Sequence, residues 1–316
     1  MPHSYRNYWL ELKKPSQKAN RFYILQFILK HMLEMLINPR KAERRPWEMF
    51  FVGAFYASIS LLLVHWMFSQ DAVLSKYLGV LVVTFTVLFS MPFVYYTLRL
   101  EEKKIVPARG TFALLEEHEH ALMAFLWLFF GYVVAFSFWY IVLANPQSFS
   151  AQIATYCTIN RPSNVDQCIG EYGLHASTSG TGFATSSDRL FLIFSNNMYV
   201  LLFTLLFSLI FGAGVMFILA WNASVIAAAV GIFAKSELSE MPLGIARYAI
   251  HGIPEIASYF IVALAGGLVS VAVIKHESGT EKFWEVLQDS LNLVIVAVIV
   301  LFIAALLEVY VTPAIF

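Results

Sequence analysis

Charge is scarce in this chain. Among 316 residues there are 21 Lys or Arg and 21 Asp or Glu, 13% in all, and the formal net charge is zero. That balance gives no footprint for nucleic acid and no reason to expect an acidic substrate. Catalytic signatures are missing as well. There is no His-Glu-x-x-His zinc motif and no Gly-x-Ser-x-Gly elbow inside an apolar run. There is no Gly-x-x-x-x-Gly-Lys loop, so any energy from a nucleotide would have to come from a partner. Cysteine is reduced to Cys157 and Cys168.

What the chain does have is apolar length. Hydrophobic residues make up 59% and the mean hydropathy is +0.68, far from a soluble average. Runs near the roughly 20 residues needed to cross hydrocarbon lie at 48–68, 77–98, 121–144, 192–219, 250–274 and 290–312. A shorter run, 223–234, predicts a re-entrant or interfacial half-helix, since irregular backbone beside it is tolerated only when buried in protein. The expected fold is therefore all-α: a polytopic bundle of six spans plus that half-helix, embedded in a lipid bilayer. Four regions follow: 1–46 as an interfacial N-terminal segment, 47–144 as three spans, 145–190 as an extracytoplasmic loop, and 191–316 as a second membrane region.

Cations set the expected orientation. The first 46 residues are rich in Lys and Arg, and loop 99–119 carries Arg99, Lys103, Lys104 and Arg109. The loop after the first run has Lys76, and 145–190 has only Arg161 and Arg189. The N-terminus is expected in the cytoplasm, without a cleavable signal peptide. The two cysteines, eleven positions apart, then fall on the oxidising side, where a disulfide is favoured over free thiols or half a metal site with His175. Ser16–Asn38 repeats Phe22, Leu25, Ile28, Leu29, Met32 and Leu36 at helical spacing, an amphipathic helix for the leaflet surface or for a partner. Glu116-Glu117-His118-Glu119-His120 holds metal-ligand types, but consecutive helical positions diverge, so no metal and no cofactor are expected.

Ionisable residues at membrane depth are costly and mark sites of function or assembly. His251-Gly252-Ile253-Pro254-Glu255 opens one apolar run. His251 and Glu255 share a helical face, and Pro254 removes a donor and should kink the helix. Asn196, Asn197 and Asn222 could supply amides to the freed groups, giving a polar cluster between spans. Gly212, Gly214, Gly231, Gly252, Gly266 and Gly267 would permit close helix packing. Two readings stay open: a lock for the bundle or a subunit interface, and an ion- or proton-linked path with Glu255 titrating. Glu308 near His251 would strengthen the second.

These marks, in order, carry a resemblance. Asn196-Asn197, Gly212-Ala213-Gly214, Asn222, Gly231, the His251–Glu255 segment and Ala265-Gly266-Gly267 resemble the stage II sporulation protein M family over roughly 190–312. Asn222 is followed by Ala223, where the family commonly has glycine. Pro39 through Pro46-Trp47-Glu48 looks like archaeal-type members. The resemblance implies an integral membrane anchor or scaffold, working beside an envelope-associated enzyme rather than catalysing anything itself. A homodimer is the expected assembly. The rival expectation is a transporter or permease subunit served by a separate ATPase.

Overall fold

The computed structural model describes residues 44–102, 116, 119–161, 164–172, 186–211, 215–235, 237–274 and 280–316. The amphipathic stretch 16–38, Glu117, His118, Gly212, Gly214 and His175 lie outside these residues. Every regular element among them is helical. The long helices are α1 (Met49–Phe68), α2 (Leu78–Glu102), α3 (Glu119–Leu143), α6 (Ser186–Phe211), α7 (Val215–Phe233), α8 (Met241–Ile274) and α9 (Glu281–Leu306). Short helices α4 (Ser150–Asn160) and α5 (Val165–Glu171) lie between α3 and α6. A π-helical turn, Leu307–Val311, leads from α9 into α10 (Thr312–Ile315).

The polytopic all-α bundle is what the structure has, with one correction to its count. Among the described residues seven helices, not six, are long and apolar enough to cross a membrane. The run 223–234 is not a half-helix. It is the C-terminal part of α7, which continues through Asn222 because that side chain donates to its own helix at the Ile218 carbonyl, 2.8 Å away. The run 192–219 is conversely divided, with α6 ending at Phe211 and α7 starting at Val215. Two glycines in three residues, each unfavourable in a helix by about 1 kcal/mol, lie between them.

Local chemistry sets the other boundaries. Pro46 starts a 3₁₀ turn that feeds α1, where a missing N–H costs nothing. After α1, Asp71 Oδ1 accepts from the amides of Val73 and Leu74, both at 2.8 Å, and turns the chain toward α2. Asn145 Oδ1 accepts from the Gln147 amide at 3.0 Å, and Thr280 caps α9 by accepting from Phe283 at 3.2 Å.

The core is one large cluster with two small satellites, one around Ala265, Leu268 and Leu293 and one around Ile193, Ala305 and Val309. Tyr132, Tyr259, Phe93, Phe136, Phe149 and Met49 are its largest fully buried side chains. Buried hydroxyls bond within their own helices: Ser60 to the Tyr56 carbonyl at 2.6 Å, Thr86 to Val82 at 2.8 Å and Thr97 to Phe93 at 2.9 Å. Back-bonding of this kind lets a polar side chain sit in an apolar setting without a partner helix. The closest helix contact is between α1 and α3. A Cβ on Gly131 would meet the Phe50 carbonyl and lie 2.7 Å from the Ala54 nitrogen, and one on Gly53 would meet the Leu128 carbonyl.

Candidate functional site

Helix α8 starts at Met241, so His251 and Glu255 lie well inside it rather than in its opening turn. The segment 241–249 escapes a search for apolar runs because Arg247 and Tyr248 face protein, not lipid. Arg247 packs its guanidinium over the Phe233 ring of α7 at 4.9 Å, and the Tyr248 and His251 rings meet edge-on at 5.9 Å. The helix runs without interruption through Pro254. Proline still removes the donor that the Ile250 carbonyl would have used. His251, Glu255 and Tyr259 then follow at intervals of four on one face.

The partners of this face come from the end of the last span. His251 Nδ1 lies 3.2 Å from Thr312 Oγ1, which itself donates to the Leu307 carbonyl at 3.1 Å. A hydroxyl has one proton, and here it is used on Leu307, so Nδ1 must carry the proton that joins it to Thr312. The π-helical turn between Leu307 and Thr312 places Glu308 close enough to Glu255 for the two charges to repel each other. Arg189, from the first turns of α6, is near enough to attract Glu308. Glu255 Oε1 accepts from the Tyr259 hydroxyl at 2.9 Å. Two carboxyls, an imidazole and two arginines thus meet where α6, α8 and the π turn come together.

The asparagines do not take part, which corrects the expected cluster. Asn196 Nδ2 donates to Asn197 Oδ1 at 3.3 Å, and Asn222 is bonded to Ile218. Neither pair reaches His251 or Glu255. For Asn222 the physical reason is that a helical amide in a dry setting can bond to its own turn, here the Ile218 carbonyl, without a second helix. Asn197 is buried, whereas Asn196 lies on the exposed side of α6.

The glycines divide in the same way. A Cβ on Gly266 would meet Ser208 and lie 3.0 Å from the Leu205 carbonyl of α6, and one on Gly231 would meet the Tyr140 ring of α3. Gly252 has only Ile226 Cδ1 at 3.7 Å from its Cβ position, and Gly267 has nothing within 4 Å, so neither allows a close approach. The expected disulfide is present: Cys157 and Cys168 are joined and both are fully buried. His65 Nδ1 meets Ser148 Oγ at 3.3 Å. Among the described residues no three His, Cys, Asp or Glu side chains converge to hold a metal ion.

Several residues of this neighbourhood were not singled out in the sequence. Arg189, Tyr259 and Thr312 are ordinary in isolation; the fold brings Arg189 and Thr312 to the face of α8 that carries Tyr259. Gly53 and Gly131 were legible, since Gly53-x-x-x-Ala57 and Gly131-x-x-x-Ala135 are both small-residue pairs at helical spacing.

The model of the family described as "Stage II sporulation protein M" matches residues 120–313. The chain belongs to that family. No curated protein and no solved structure matches it. The family region begins at the start of α3, well before the resemblance over 190–312. It therefore takes in the disulfide segment as well as the His251–Glu255–Glu308 neighbourhood. Helices α1 and α2 lie outside it. This stage II sporulation protein M relative is a multi-pass membrane protein, and His251, Glu255 and Glu308 all lie inside the family region.

Proposed function

We propose that the protein is a membrane scaffold without catalysis of its own, assembled as a homodimer and anchoring an envelope-associated enzyme. The observation that carries this reading is Asn196. It lies on the exposed face of α6 with Phe191, Tyr199, Phe203 and Leu206, in a helix of spanning length. An amide facing acyl chains leaves donors and acceptors unmet, which costs more than placing it at a protein contact. Asn is self-complementary, so a second copy of α6 satisfies it across a twofold axis. Mass measurement in mild detergent tests the dimer. The intact protein is expected at twice the chain mass, with Asn196→Leu shifted toward monomer. A monomer at every concentration defeats the reading.

A second reading rests on a different observation, the two carboxyls Glu255 and Glu308 in adjoining spans. Such pairs line ion and proton paths. In that case the protein is a permease subunit energised by a partner ATPase. Glu255→Gln separates the two: assembly and flux both survive if the group only accepts the Tyr259 hydrogen bond, while flux alone disappears if it exchanges a proton.

A further inference from the structure

The chain between α3 and α6 does not simply lie across the end of the bundle; part of it is packed inside. Ser148, Phe149, Gln152, Ile153 and Cys157 are each no more than 1% exposed. The Phe149 ring meets Phe136 and Tyr140 of α3, with centroids 6.3 and 5.2 Å away. Phe136 precedes the end of α3 by seven residues, about 10 Å along a helix. Gln152 Nε2 donates to the Gly79 carbonyl at 2.8 Å and to Ser224 Oγ at 3.1 Å. Ser224 is at the midpoint of α7, and Gly79 is in the first turn of α2. Helix α4 is thus a wedge between two spans.

Phe149, Ile153 and Cys157 join the apolar core, while the part of the seat around Gln152 and Ser148 is polar. That part consists of the Gly79 carbonyl, the Ser224 hydroxyl, His65 bonded to Ser148, and the Tyr140 ring. The amide of Gln152 is only half satisfied there, because Oε1 is buried with no hydrogen-bond partner. An acceptor left unpaired in a buried place gains a bond when it reaches water, which lowers the cost of opening at this one side chain. Against opening, Cys157–Cys168 ties α4 to α5, and the Tyr156 hydroxyl of α4 lies close to the Tyr248 hydroxyl of α8. Tyr248 is the residue whose ring meets His251. Movement of α4 would therefore be felt at the ionisable end of α8.

We propose that Pro146–Asn160 is a plug, latched by the disulfide, which fills a partly polar cleft between α2 and α7 and exposes it on swinging out. The inference does not depend on the scaffold reading. The first test uses Ser224→Cys as a reporter of the seat, probed with a membrane-impermeant maleimide. With the native disulfide intact the new thiol should react slowly. Adding Cys157→Ser and Cys168→Ser, or Gln152→Ala, should raise the rate roughly tenfold, as local opening becomes cheaper. Fast labelling with the latch intact, or an unchanged slow rate without it, overturns the plug. The second test needs no substitution. Hydrogen exchange of the unaltered protein is followed before and after a phosphine reductant, which turns the disulfide into two thiols and becomes a phosphine oxide. Faster exchange confined to residues 150–157 is the expected result. Faster exchange throughout α1 and α3 means the disulfide holds the whole bundle, and no change means it latches nothing; either overturns the proposal.

Discussion

At the scale of single residues, the two kinds of glycine make a sharp contrast. Gly131 has no room for a methyl group, because the Phe50 carbonyl and the Ala54 nitrogen occupy its place. Both obstacles are backbone, which cannot turn aside as a side chain can. Gly131→Ala should therefore push α1 from α3 and cost about 1–3 kcal/mol. Gly267→Ala meets nothing within 4 Å and replaces a poor helix former with the best one. It should be neutral or gain a few tenths of a kcal/mol. Thermal unfolding in detergent ranks the two, and equal melting temperatures would contradict the packing described. Asp71 gives a second prediction. The Leu74 and Val73 amides that bond its carboxylate hold its pKa below the ordinary 3.8, with Leu74 contributing most. A depressed folded-state pKa means that the turn's bonding is fully present above the usual carboxylate range. It is lost as pH falls through the lower folded value. The amide shifts of Val73 and Leu74 should titrate together with a midpoint below 3.8, and Asp71→Asn should abolish that titration.

At the scale of elements, the sequence was most legible where a helix is apolar on every side and least where it changes its surroundings. α1, α2 and α3 fall close to their apolar runs because lipid and core ask for the same residues. α8 was expected from residue 250, yet it starts at Met241. Its first turns carry Pro242, Arg247 and Tyr248, which hydropathy reads as a loop, but Arg247 and Tyr248 have protein partners. The π turn at Leu307–Val311 left no trace in composition at all. Only its consequence, Glu308 within electrostatic reach of Glu255, gives it meaning, and π turns do gather at functional sites. The Thr312 hydroxyl bridges this turn to His251, so Thr312→Val should release both the imidazole and the Leu307 carbonyl. A loss of about 1–3 kcal/mol is expected for two broken buried bonds. Thr312→Ser should retain most of that stability. If valine and serine melt alike, the bridge contributes nothing and the ionisable end of α8 is held by packing alone.

For the whole molecule, the seventh pass changes which side of the membrane the chain ends on. The cation pattern before α1 and after α2 remains as expected, and it argues for a cytoplasmic start. Six spans would return the chain to the cytoplasm. Seven carry it across once more, because α7 is a full crossing in its own right. The difference arises where α6 ends at Phe211 and α7 starts at Val215; the sequence between them, Gly212-Ala213-Gly214, consists of small residues of a kind that suits either a tight helix contact or a reversal. Hydropathy cannot separate these uses, since glycine and alanine interrupt neither kind of run. A topology reporter can. Alkaline phosphatase fused after Phe316 should be active, and a green fluorescent protein at the same place should be dark. The same two reporters at the N-terminus should give the opposite pair of signals. Fluorescence at the C-terminus, with a fluorescent N-terminus, would remove one crossing. It would also put the Glu255–Glu308 neighbourhood and the disulfide segment on different faces, contrary to the contact between α4 and α8 through Tyr156 and Tyr248.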